Sequence, residues 1–267
     1  MIRATRLSAR LYSSWNRARL LAFSTAGGII CRTLGTFTIA GANSMSSEAA
    51  EARWTANPDW IALLGIFLTV VLSFVLRDIG ATGFFIAGAV IFWATYVCLK
   101  SRLDPSAINN WGFRTDNLGE AATVTFFVFL IIVGILIIIG GMQNTLAFPT
   151  HLLAQLAIYP AWGLIQQFLA LAIVVGNLER TSMFEERKPS LVILTALLFS
   201  AVHLYDVGLA TGCFLLELMI VPLYFRYRNL LPLGILHGWT GALYYLWVLN
   251  EDLWNEIVAG ARAIVGI

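Results

Sequence analysis

The chain has 267 residues, 59% hydrophobic and only 12% charged. Ordinary soluble domains carry roughly 25% charged residues, so a soluble globular enzyme is set aside. The formal charge of +2 is the sum of +6 from residues 1–47, which hold six arginines and no Asp, Glu or Lys, and −4 from the remainder, which offers no basic face for a phosphate backbone, so nucleic acid is not an expected partner.

The arginine-rich, acid-free start has the composition of an organellar transit peptide. A basic surface arm, a misassigned start and a weak extra span over 20–30 are the alternatives. Residues 1–58 are therefore set apart as an N-terminal segment and polar linker, either targeting or disordered. A transmembrane domain is expected over 59–249. Span one is read at 60–76 and span two at 81–99, followed by a loop holding Lys100, Arg102, Asp104 and Pro105. Span three, 120–139, is almost uniformly Ile, Val, Phe and Leu; residues 121–140 contain no charge, enough for a helix to cross a hydrocarbon core of ~30 Å.

The fourth span follows Pro149 and His151 and runs apolar to Val175, interrupted by Gln166 and Gln167. Lipid supplies no hydrogen-bond partners, so both amides are expected to face the bundle interior. Spans five, six and seven are read at 191–205, 208–224 and 231–249, and 250–267 as an interfacial helix or tail. The fold class is thus all-α, a polytopic transmembrane helical bundle of about 7–8 spans in a bacterial inner membrane or an organellar membrane. Lys and Arg collect in the loops after spans two, four and six, which puts those loops on the cytoplasmic, matrix or stromal side. The segment before span one is expected on the opposite side.

His203 closes one apolar run, His237 lies near the start of another, and Glu217 is the lone acid inside a span. Ionisable groups at membrane depth are expensive and are functional candidates by default; packing and interhelical hydrogen bonding are the plainer reading. Two histidines can accept a proton, orient water or donate to an oxyanion. No His-Glu-x-x-His pattern occurs, and Cys31, Cys98 and Cys213 lack metal-ligand spacing. A three-histidine metal site would need His151 to fold inward, so neither metal nor cofactor is expected. There is no Gly-x-Ser-x-Gly elbow and no phosphate-binding glycine loop.

Across residues 111–245 these pieces resemble the CAAX-protease and bacteriocin-processing (CPBP or Abi) family of intramembrane glutamic endopeptidases. The family's second motif, Phe-x-x-x-His, matches Phe199 and His203. Its third, His with Asn four residues on, falls on His237 and Gly241. Residues 227–232 (Tyr-Arg-Asn-Leu-Leu-Pro) and 111–118 (Trp-Gly-Phe-Arg-Thr-Asp-Asn-Leu) are also similar. The first motif, paired glutamates followed by arginine, falls on Gln166, Gln167 and Leu171.

The resemblance implies a water-activating carboxylate at Gln166, a histidine partner at His203 and an oxyanion donor at His237. An amide cannot take a proton from water at neutral pH. Two expectations follow. A degenerate member would bind a membrane-embedded or lipidated peptide, or a partner membrane protein, through a neutral network of Gln166, Gln167 and His203. An active endopeptidase would use Glu217 or His203 as base, with glutamine-positioned water. A small transporter or pore subunit is a third class, for which the polar inventory is sparse. Membrane lipids are expected partners in every case.

Overall fold

The computed structural model describes residues 57–79, 81–255 and 258. All belong to the second of two units, Met1–Ser46 and Ser47–Ile267. The readings of residues 1–56, including the transit peptide and the extra span, lie outside the described residues, as do 256–257 and 259–267.

Every regular element among the described residues is helical. These are α1 (Trp60–Asp78), α2 (Thr82–Leu103), the single-turn α3 (Ala107–Asn110), α4 (Leu118–Gln143), α5 (Leu152–Leu178), α6 (Lys188–Ala201), α7 (Val207–Tyr227) and α8 (Leu230–Trp247). Five of them, α1, α2, α4, α5 and α7, are long and apolar enough to cross a membrane, rather than the seven or eight read from the sequence. The difference has two causes. With 14 residues, α6 reaches only about 21 Å at 1.5 Å per residue. In α8 the apolar run is diluted by His237, Trp239, Thr240, Tyr244 and Tyr245. That helix is nonetheless central, with 12 of its 18 residues buried.

Caps set several boundaries. Asp59 accepts from the Ala62 amide at 3.1 Å, Asp206 from Leu209 at 2.8 Å and Asn229 from Leu231 at 3.2 Å, each satisfying a donor the helix leaves open. Arg228 adopts a left-handed conformation (φ 47°) to close α7. Beneath that turn sits Gly112, at φ 99°, where a Cβ would lie 2.9 Å from the Arg228 carbonyl. The Leu230 amide donates to the Gly112 carbonyl at 2.8 Å. Asn229 Nδ2 donates to Asn117 Oδ1 at 2.9 Å and Asn117 Nδ2 to the Tyr227 carbonyl at 2.6 Å. The segments 111–118 and 227–232 are therefore docked on one another.

Helices α5 and α7 are half-enclosed, 44% buried each, against 11% for α1 and 6% for α2, which lie at the periphery. The closest crossing is α5 on α8. A Cβ on Gly163 would meet the Gly234 carbonyl at 2.5 Å, one on Gly234 would meet Leu164 Cα at 2.7 Å, and one on Gly238 would meet Pro160 Cα at 2.5 Å. Gly234 and Gly238 form a small-xxx-small step, which in membranes lets backbones approach where side chains would hold them apart. This contact brings Gln167 and His237 within reach of each other.

The ends of the bundle correct the orientation. Lys100 Nζ, near the end of α2, donates to Asp59 Oδ2 at 2.5 Å, and the Asp59 amide donates to Asn177 Oδ1 at 2.6 Å. The start of α1 thus lies on the same side as the basic loops, not the opposite one. Two crossings return a chain to the side it left, and span one followed by span two is such a pair. Burial alone would raise the Asp59 carboxyl; the hydrogen bonds from Lys100, the Ala62 amide and Tyr96 outweigh it and hold the group below its ordinary value.

Candidate functional site

Three of the five polar residues read from the sequence, Gln167, Glu217 and His237, converge from three helices near the middle of the bundle. Gln167 on α5, Glu217 at the midpoint of α7 and His237 on α8 are all buried: Gln167 and Glu217 expose no surface and His237 exposes 6%. The Gln167 amide nitrogen donates to Glu217 Oε1 and lies 2.7 Å from His237 Nδ1. Immediately after Gln167 the helix widens into a π-helical stretch, Phe168–Val175, an irregularity often found beside functional sites. Leu171, where the resembling family carries arginine, is fully buried within it.

The hydrogen bonds fix the roles of the groups. With Glu217 ionised, its oxygens only accept, and the side of the Gln167 amide facing it is the nitrogen. That nitrogen can only donate, which makes His237 Nδ1 an acceptor. A neutral His237 ring then carries its proton on Nε2. Two acceptor atoms in the cluster, Gln167 Oε1 and Glu217 Oε2, are buried with no hydrogen-bond partner.

His203 lies in the turn after α6, not within the helix as the 191–205 reading had it, because α6 ends at Ala201. It is half-buried, and its Nδ1 donates to the Phe199 carbonyl at 2.8 Å. A neutral His203 ring therefore has its lone pair on Nε2. The Phe199 ring stands next to both imidazoles, 5.0 Å from His203 and 5.5 Å from His237 between centroids, edge-on to His237. Phe199 packs with Ala170, Leu209 and Cys213. So His203 adjoins the cluster through an aromatic ring and is not hydrogen-bonded into it.

Gln166 is not part of the network. It is half-buried and makes no side-chain hydrogen bond, since the next residue on a helix points about 100° away. Gly241, at the family's asparagine position, sits 3.3 Å (from an ideal Cβ) from the Tyr159 ring. His151 is held elsewhere: its Nε2 is 2.7 Å from Asp252 Oδ2, and Gln155 donates to Asp252 Oδ1 at 2.8 Å. This ties the stretch after α8 to the start of α5. Burial would raise the Asp252 carboxyl, but the Trp254 amide, Gln155 and His151 together lower it. Among the described residues no three of His, Cys, Asp and Glu cluster as a metal site would require.

The sequence reading missed the glycine contact that sets the geometry; its signal was the spacing Gly234-x-x-x-Gly238. It also missed Asp252 as the partner of His151, for which the sequence holds no local sign. Compared with family models, curated proteins and solved structures, the chain matches none.

Proposed function

We propose that this chain is a membrane-embedded, CPBP-like scaffold that binds a membrane-embedded or lipidated peptide without hydrolysing it. One observation carries the reading: the Gln167 amide nitrogen, in the motif where the resemblance expects paired carboxylates, is committed as a donor to both Glu217 and His237. An amide in that role cannot deprotonate water, and a positioned general base contributes typically 10²–10⁴-fold to a hydrolytic rate. What the two imidazoles supply instead is recognition. His237 offers an Nε2–H donor and His203 an Nε2 lone pair, with the Phe199 ring beside both. That is the complement of a peptide unit, whose carbonyl accepts and whose N–H donates. In this reading α6 and α8 are also embedded, which makes seven membrane helices among the described residues.

The test is capture in lipid nanodiscs of a membrane-spanning peptide and a lipidated peptide, each carrying a photo-reactive residue, with mass spectrometry of the products. The expected result is an adduct of intact peptide that falls several-fold in His203→Ala. Adducts no more abundant than with a peptide of scrambled sequence would overturn it.

A second reading, hydrolysis with Glu217 as base, is favoured by its second carboxylate oxygen, which has no partner. It requires cleaved peptide in the same experiment, lost in Glu217→Gln.

A further inference from the structure

We propose that a groove between the first turns of α6 and the last turns of α7 holds one anionic phospholipid, its phosphate on Lys188 and an acyl chain along the apolar wall. The groove has a volume of about 490 Å³ and is lined by Lys188, Pro189, Val192, Ile193, Pro222 and Phe225. Lys188 is its one charged residue. The Lys188 Nζ lies 5.5 Å from the centroid of the Phe225 ring, which holds the ammonium over the groove. Ile193 is 52% exposed, so the groove opens outward and not into the core. Pro189 and Pro222 have no backbone N–H, so those parts of the wall present carbon to the occupant.

Charge decides the headgroup. Lys100, Arg114 and Arg228 each pair with a carboxylate. Lys188 has no ion pair, and neither has the exposed Arg187 beside it. Glu185 and Glu186 are exposed just upstream, pair with neither cation and do not line the groove. The groove also lies at the end of the bundle where the basic loops gather, the side on which membranes present anionic lipid. An ammonium with no ion pair above an apolar trough at that level fits a phosphate with an attached chain.

The test uses the full chain in phosphatidylcholine vesicles containing a minor share of phosphatidylglycerol, with native mass spectrometry of the lipids retained after mild delipidation. Wild type is expected to retain phosphatidylglycerol about fivefold above its share of the bilayer, the ratio set by one basic side chain at an anionic surface. Lys188→Gln should abolish the enrichment and Lys188→Glu should invert it. Ile193→Trp, filling the trough at an exposed position, should reduce retention of both lipids while the melting temperature holds. Equal retention of the two lipids by wild type, an enrichment surviving Lys188→Gln, or full retention in Ile193→Trp would overturn the assignment.

Discussion

A single side chain amide, that of Gln167, serves two buried acceptors on two other helices. Removing it leaves both buried acceptors without that donor, so Gln167→Leu is expected to lower stability by about 1–3 kcal/mol. Gln166→Leu, which breaks no hydrogen bond, should stay within about 0.5 kcal/mol. Unfolding titrations of the two variants in the same lipid–detergent mixture read the difference; equal losses would contradict the assignment of Gln167 as the inward amide. The sequence marked Gln166 and Gln167 as polar intruders in an apolar run, and Glu217 as the lone acid of its span. It did not reveal which amide faces inward. Adjacent helical residues differ by about 100°, and a helix apolar on all sides gives no phase from which to tell them apart.

Glycines govern the meeting of elements. On α8, Gly238 faces Pro160 so closely that a Cβ would lie 2.5 Å from its Cα, whereas Gly88 on α2 has no neighbour within 4 Å. Gly238→Ala should therefore cost about 1–3 kcal/mol through forced separation of α5 and α8. Gly88→Ala should be neutral or gain up to about 1 kcal/mol from helix propensity. Thermal denaturation of both variants checks this, and a harmless Gly238→Ala would remove the close crossing from the account. Element identity was largely readable, since charge-free runs near 20 residues have few uses other than spanning. Element length was less so: α6 ends at Ala201 and leaves His203 in a turn, although the apolar run continues past that point. A capped stop is set by local geometry, as where Asp206 opens α7, and hydropathy does not register it.

The described bundle is tied together at its basic end by Asp59, which links α1 to Lys100 on α2 and to Asn177 on α5. Its folded-state carboxyl lies below its ordinary value, because the hydrogen bonds exceed the effect of burial. The folded form therefore binds fewer protons than the unfolded form between the two values. The contribution is complete above the ordinary aspartate range and is lost as pH falls through the folded value. Melting temperature against pH should show that acid loss in wild type and a shallower loss in Asp59→Asn; superimposable profiles would contradict it. The same link fixes topology, so Pro58→Cys and Met183→Cys should label from one side of sealed vesicles and Ile79→Cys from the other. The loop charges indicated the side, but the relation of span one to that side follows from counting crossings, which the Lys100–Asp59 pair makes visible.

One amide, that of Gln167, joins α5, α7 and α8. A double-mutant cycle between Gln167→Leu and His237→Leu, measured by unfolding in a single lipid composition, addresses this most directly. Residues sharing a hydrogen-bonded network couple by roughly 0.5–3 kcal/mol, and that is the expected result here. Strict additivity of the two losses would contradict the junction and the recognition role built on it.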